Sequence, residues 1–477
     1  MQKLFNPKSV ALIGATDRAG SVGLGIARNL LFGKKQRKIF FVNPKRHKIL
    51  GQKCFPSVSE IKENVDLAII AVPSPIVRQV SVEVCQAKIG SVIIISSGFS
   101  ETGVEGEKMQ KEISEIFAKN NIPLVGPNCL GIINPHEKLN ASFAPDTPQP
   151  GKIAFLSQSG ALIDSVIDYS LLENFGFSLM VSYGNEAGLG LNDFLDMAGQ
   201  DKNSKVIAVY LEEIKNGQEF IKIASAITKQ KPIIVLRGGK TPEGKKAAQS
   251  HTASLAGEAK IYAAAFKKAG VIEVETIEDL FLAAQTISNY NNFVILSQQA
   301  KNLGDSSAIR PQNDKEYVRG GWAILTNGGA VGVITADWCS RLGVKLAEIA
   351  SQNNPWDILG DADSEKYQMA LTSLLKQKEI SGVIFCQTLQ AMTDAQQNAK
   401  IIIKARKQYP LKPVLPLFLG GVKTKKAVDL LKQTGLGCFQ EPRDAALAAS
   451  ILGQTRGGRP PENLGPVWRG LPPSCLP

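Results

Sequence analysis

Short, almost wholly apolar runs recur along the chain. Each stops at a cluster of glycine, serine, proline or asparagine before a helical stretch begins. Ser9–Ile13 runs into Gly14-Ala-Thr-Asp-Arg-Ala-Gly20, and Lys38–Val42 stops at Asn43-Pro44-Lys45. Leu67–Val72 ends at Pro73-Ser74-Pro75, Val92–Ile95 at Ser96-Ser97-Gly98, and Pro123–Val125 at Gly126-Pro127-Asn128. A run apolar on both faces must be buried on both faces, and parallel strands covered by helices meet that need. The pattern therefore predicts an α/β protein built on doubly wound parallel sheets, with any ligand at the carboxyl ends of the strands.

The same pattern repeats twice more. Gly151–Leu156 leads into Ser157-Gln-Ser159-Gly160-Ala161 and a helix from Leu162 to Glu173; Phe177–Ser182, Val206–Leu211 and Pro232–Leu236 follow. After a polar stretch from Ser297 to Tyr317, Gly321–Leu325 runs into Thr326-Asn-Gly328-Gly329-Ala330, and further strands cover Gly382–Cys386 and Val414–Leu419. At 477 residues the chain exceeds one ordinary core. The expected segments are 1–128, 129–290, a linker at 291–318, a smaller flavodoxin-type domain at 319–452, and a disordered tail at 453–477.

Composition narrows the function. Only 6% of residues are aromatic, which disfavours a base-stacking nucleic-acid binder. The net charge of +12 is dispersed, with its densest cluster at Lys34–Lys38 and further cations at Lys45, Arg46 and Lys48. Flanking a glycine-rich turn, these cations suit a polyanionic small ligand. The seven cysteines show no paired spacing, and no apolar run approaches membrane-spanning length. A cytoplasmic protein is expected, without a membrane or nucleic-acid partner.

A glycine-rich turn between strand and helix makes an anion site, because backbone N–H groups and the helix N-terminus face the ligand. Gly14, Gly20, Gly23 and Gly25 lack the tight spacing of a dinucleotide fingerprint. The second strand ends in Lys45 where an NAD site would place an acid, which favours a ligand with an additional phosphate. The chain has three histidines, and one of them, His251, stands among small residues in Ser250-His-Thr-Ala-Ser-Leu-Ala-Gly257. A neutral imidazole on a loop is a good nucleophile near neutral pH. Glu212, at the end of the strand Val206–Leu211, is a candidate to hold its other ring nitrogen; Glu213 beside it competes for that role.

Taken together, Gly126-Pro-Asn-Cys-Leu-Gly131, Leu156-Ser-Gln-Ser-Gly160, the His251 stretch, Thr326-Asn-Gly-Gly-Ala-Val-Gly332 and Asn354-Pro-Trp-Asp357 resemble one family. It is the alpha subunits of ADP-forming acetate–CoA ligases, in the succinyl-CoA synthetase superfamily. The likeness runs from Leu4 to about Leu452 and implies a Rossmann-like CoA-binding domain followed by two flavodoxin-like ligase domains.

The resemblance also implies a reversible reaction in which acyl-CoA, ADP and phosphate give acid, CoA and ATP through phosphorylated His251, with Glu212 orienting it. It implies that CoA lies along Gly14, Thr16, Gly20, Lys45, Val72, Pro73, Ser96, Ser97, Gly98 and Asn128. Ser159, Gly160 and Ala161 on one turn, and Gly328, Gly329 and Ala330 on another, are then the phosphate-binding positions. No ATP-grasp pattern follows the third domain. ATP or ADP with Mg2+ is therefore expected on a separate ATP-grasp beta subunit in an α2β2 assembly, and no metal site on this chain. A non-catalytic CoA-binding module and a nicotinamide-dependent oxidoreductase are the competing readings.

Overall fold

The computed structural model describes residues 2–240, 259–290, 320–350, 352–360, 362–390 and 393–455. The His251 stretch, the expected linker at 291–318 and nearly all of the expected tail lie outside them. The chain divides into two compact units, Met1–Thr276 and the part from Ile277 onward.

The first unit holds two seven-stranded sheets. The first contains β1 (Ser9–Ile13), β2 (Lys38–Val42), β3 (Lys48–Ile49), β4 (Gln52–Phe55), β5 (Leu67–Ile70), β6 (Val92–Ile94) and β7 (Leu124–Val125). Their spatial order is β3-β4-β2-β1-β5-β6-β7. β1 is central, parallel to β2 and β5, and all five of its residues are buried, as its apolar run requires.

The second sheet contains β8 (Gly131–Asn134), β9 (Leu139–Ser142), β10 (Pro150–Ser157), β11 (Phe177–Ser182), β12 (Val206–Leu211), β13 (Ile233–Arg237) and β14 (Ile272–Val274). Its order is β14-β13-β12-β10-β11-β8-β9. β10 to β14 are parallel, whereas β8 and β9 form an antiparallel hairpin against β11. No apolar run in the sequence predicts a strand in that stretch. Asn134 caps its turn by accepting from the Glu137 N–H, and Lys138 takes the left-handed conformation that closes it.

That hairpin joins the two sheets. Asn29, on the helix Val22–Phe32 that follows β1, donates to the carbonyls of Ser142 and Ala144, each at 2.8 Å. Gly25 on the same helix lets Phe143 approach to ordinary contact distance of where a Cβ would stand. One continuous apolar cluster consequently includes Leu12 and Ile69 of the first sheet with Ile132, Leu156 and Val209 of the second.

The second unit carries a four-stranded parallel sheet of β15 (Gly321–Thr326), β16 (Trp356–Asp357), β17 (Ile380–Gln387) and β18 (Val414–Phe418), in the order β16-β15-β17-β18. The helix Ile277–Asn289 groups with this unit. Asp279 pairs with Arg443 at 2.9 Å, and the buried Tyr290 hydroxyl donates to the Val414 carbonyl at 2.5 Å. At the other end the helix Pro442–Thr455 continues past the boundary expected at 453.

No helix among the described residues is long and apolar enough to cross a membrane. Because Ile207 on β12 is fully buried between parallel neighbours, Ile207→Ala is expected to cost about 2–5 kcal/mol in urea unfolding followed by circular dichroism.

Candidate functional site

The carboxyl ends of β1, β5 and β6 carry the turns that the sequence pattern singled out. Gly14 has φ +97°, and a Cβ there would lie 2.1 Å from the Ala71 carbonyl oxygen, so the turn closes only on glycine. Ser21 caps the following helix by accepting from the Leu24 N–H, which starts the helix at Val22. After β5 the chain turns at Pro73 directly into the helix Ser74–Gln86. After β6 the Ser96 hydroxyl donates to the Val72 carbonyl at 2.5 Å and its own carbonyl accepts from the Asn128 N–H at 2.9 Å. Asn128 itself is left-handed, with φ +57°, behind a cis Gly126–Pro127 bond.

The second sheet meets these turns with the end of β10. The Ser157 hydroxyl accepts from the Ser159 N–H at 3.1 Å and donates to its carbonyl at 2.8 Å, folding the turn back on itself. Ser159 then caps the helix Gly160–Glu173 through the Leu162 N–H. Gly160 packs against Leu130, so the helix start sits close behind the Asn128 turn.

A cavity of about 480 Å³ lies where the two sets of turns converge. From the first sheet it is lined by Val72, Pro73, Ser74, Ser96, Ser97 and Asn128. From the second it is lined by Gln158, Ser159, Gly160, Ala161, Gly184 and Asn185. Cys129, Leu130 and Phe143 supply apolar wall. A helix N-terminus with uncommitted N–H groups beside a cleft of this size suits a ligand with one anionic end and one extended, less polar part.

Residues 8–135 match a family profile described as a CoA binding domain, and residues 150–287 match one described as a succinyl-CoA ligase like flavodoxin domain. The alpha subunit of the acetate–CoA ligase [ADP-forming] I of Pyrococcus furiosus is 36% identical over 473 residues, spanning 95% of this chain and 97% of that one. The chain belongs to the ADP-forming acetate–CoA ligase family. The acetate–CoA ligase [ADP-forming] I of Archaeoglobus fulgidus is 38% identical, and there the match spans 95% of this chain but 63% of the relative. The solved dinucleotide forming acetyl-coenzyme A synthetase 1 of Candidatus Korarchaeum cryptofilum, in complex with phosphate and ADP, superposes with a TM-score of 0.85. It is 32% identical, with 96% of this chain and 97% of that chain covered.

Within this family fold the expected ligand positions divide into groups. Val72, Pro73, Ser96, Ser97, Asn128, Ser159, Gly160 and Ala161 share the cavity wall. Gly14 lies one contact behind it, against Val72, and Gly98 likewise abuts Ser74. The Thr16 hydroxyl accepts from the Arg18 N–H within the first turn, and Gly20 and Lys45 stand exposed beyond the lining. The turns bearing Thr16 and Lys45 nevertheless meet: Asn43 donates to the Ala15 carbonyl at 2.8 Å, and Arg46 pairs with Asp17 at 3.5 Å.

The cluster Lys34–Lys38 does not flank this site. Lys38 opens β2 at the end of the sheet opposite the glycine turn. Arg37 is buried and donates to the carbonyls of Lys138 and Glu137, with burial pushing its guanidinium below its ordinary range. Gly328, Gly329 and Ala330 lie in the second unit, where they start the helix Gly329–Arg341.

Glu212 follows β12 and is 5% exposed. Its N–H and that of Glu213 both donate to the Gln158 side-chain carbonyl, and Tyr210 donates to its carboxylate at 3.2 Å. The cavity-lining Gln158 thus locks the Glu212 strand end in place. Burial, then the nearby Glu212 charge, pushes the Tyr210 hydroxyl up to about 12. His251 lies outside the described residues. Neither Gln158 nor Asn185 stood out by periodicity; each appears in the sequence only as a polar residue after a strand.

Glu186, in the loop after β11, is a further buried carboxyl group of this unit. Its side chain is 7% exposed, and one of its oxygens has no hydrogen-bond partner. Burial, reinforced by the Glu213 charge and only partly offset by Lys215 at 3.8 Å, raises its pKa to about 7. The folded state therefore holds a proton that the unfolded chain releases at lower pH, and the stability this confers is lost as pH rises through about 7. Glu186→Gln fixes the neutral form. Urea unfolding free energies should match wild type near pH 4 and exceed it at pH 8, by on the order of 1–3 kcal/mol.

Proposed function

We propose that this chain is the alpha subunit of an NDP-forming acyl-CoA synthetase that converts acyl-CoA, ADP and phosphate reversibly to acid, CoA and ATP, with acetate as the acid. The observation that carries this reading is the shared cavity, where the strand ends of the CoA binding domain meet the Ser159-Gly160-Ala161 helix start. CoA lies along the first-sheet turns, with its thioester end toward the helix Gly160–Glu173. Gly14, Thr16, Gly20 and Lys45 hold its phosphorylated end.

Phosphate, bound at that helix N-terminus, attacks the thioester carbonyl carbon. The C–S bond breaks, the thiolate leaves and takes up a proton, and an acyl phosphate remains. His251 then attacks phosphorus, the P–O bond to the acyl group breaks, and the free acid departs. Glu212 holds the other ring nitrogen and balances the charge that develops on the imidazole. Phosphoryl transfer depends chiefly on position and charge compensation, and a helix N-terminus contributes about 0.3–2 kcal/mol toward a nearby anion. In this reading Gly328, Gly329 and Ala330 form a second such anion site.

The phosphoryl group passes finally to ADP on a separate ATP-grasp beta subunit, which would also hold Mg2+, in an α2β2 assembly in the cytoplasm. That the Pyrococcus relative is named a subunit alpha supports a separate partner.

The test is to label the chain with radioactive phosphate and acetyl-CoA. Wild type should acquire an acid-labile, base-stable phosphoryl linkage, His251→Ala none, while CoA binding survives in both. Label retained by His251→Ala would overturn the role of that residue. Glu212→Gln should slow the labelling by about tenfold or more, the scale on which an orienting partner acts on a histidine.

A further inference from the structure

Beside the cavity, a chain of side-chain hydrogen bonds runs from a carboxylate to a wall residue. One oxygen of Glu101 accepts from the Gly98 and Phe99 N–H groups, at 2.6 and 3.2 Å. The other accepts from the Asn185 amide at 2.6 Å. The same Asn185 nitrogen donates to the Gln110 side-chain carbonyl at 2.9 Å, and the Asn185 side-chain oxygen receives the Asn128 amide at 3.2 Å. Asn128 and Asn185 both line the cavity; Glu101 does not.

The backbone holds this chain rigidly. The Asn185 N–H donates to the Pro127 carbonyl at 2.9 Å, the Ala187 N–H to Gly126 at 3.0 Å, and Lys215 donates to the Asn185 carbonyl at 2.9 Å.

The chemistry of these groups leaves one arrangement. An ionised carboxylate only accepts, so Asn185 must turn its NH2 toward Glu101 and its oxygen away. That oxygen can only accept, so Asn128 must offer it an NH2. The Asn128 side-chain oxygen is then left as an acceptor on a residue that lines the cavity. Burial works against ionisation of Glu101, yet the donors of Asn185, Gly98 and Phe99 outweigh it and hold the carboxyl below its ordinary range.

We infer that Glu101 is a positioning residue for the thiol-bearing arm of CoA: acting through Asn185, it fixes Asn128 as a hydrogen-bond acceptor for an amide N–H of that arm. The inference rests on the CoA reading of the cavity and adds to it the residue that sets the polarity of the wall. Glu101 touches no ligand itself. Its charge is read out two side chains away.

The arrangement can be inverted without changing net charge. In Glu101→Gln the new amide can turn its NH2 toward Asn185, which confuses the order and lets Asn128 reverse. In the double variant Glu101→Gln/Asn185→Asp, the glutamine oxygen still accepts from Gly98 and Phe99. Its NH2 donates to the new carboxylate, which again accepts from Asn128 and, once the Gln110 amide reverses, from the Gln110 NH2 as well.

The experiment is calorimetric titration of the full chain with CoA and with the nucleotide half of CoA, which lacks the amide-bearing arm. Glu101→Gln is expected to weaken CoA by about tenfold, the factor one hydrogen bond carries, and to leave the nucleotide half within about twofold. The double variant is expected to recover CoA binding. The inference is overturned if Glu101→Gln leaves CoA unchanged, if it weakens both ligands alike, or if the double variant stays as weak as the single one. Wild type that binds neither ligand removes the CoA reading itself, a different result from the other three.

Discussion

Packing between the helix Val22–Phe32 and the β8–β9 hairpin holds the ends of two parallel sheets against one another. Parallel sheets bind ligands at their carboxyl ends, where helix N-termini and backbone donors are exposed. Here two such ends face one cavity, one with turns suited to a long ligand and the other with a helix start suited to an anion. Had the sheets been joined by a loose linker, the same turns would have made two separate sites. The hydrogen bonds from Asn29 and the apolar cluster shared by both sheets make the distance between them a property of the core rather than of a hinge.

The second ligase-type sheet repeats the devices of the first. Ser157 folds the turn after β10 through Ser159, and Thr326 does the same after β15 through Gly328, accepting at 3.0 Å and donating at 2.9 Å. Gln158 accepts from the backbone of Glu212 and Glu213 at the next strand end, and Asn327 accepts from the Thr388 N–H and hydroxyl. Lys231 and Lys412, each followed by a proline and a strand, donate to the last carbonyls of the helices Leu191–Gln200 and Ser364–Lys376. The carboxylates are where the copies part. The strand end locked by Gln158 carries Glu212 and Glu213, whereas the one locked by Asn327 carries Thr388. In the proposed reaction that difference leaves one of the two anion turns equipped to support a charged imidazole.

Buried polar groups around the first cavity are nearly all satisfied, as they must be where water is excluded. Glu101 has three donors, and Glu212 has Tyr210 as a donor. Among the described residues Glu186, Asp164 and Asn192 each keep an oxygen without a hydrogen-bond partner, and burial lifts the Glu186 pKa to about 7. A neutral acid tolerates such a place where a carboxylate does not.

Much of this was legible in the residues alone. Uniformly apolar runs such as Ser9–Ile13 read as buried parallel strands, and the small and polar turns after them as candidate anion sites. Fold class and the main cavity residues followed from that. Periodicity reports whether a segment is buried, not what it is buried against. The antiparallel hairpin, the helix Ile277–Asn289 that joined the following unit, and Arg37 withdrawn beneath the hairpin turn were therefore decided by tertiary packing. So was the chain from Glu101 through Asn185 to Asn128, whose members stand far apart in sequence. Hydrogen-bond polarity belongs to pairs of groups, and only the folded chain determines which groups become pairs.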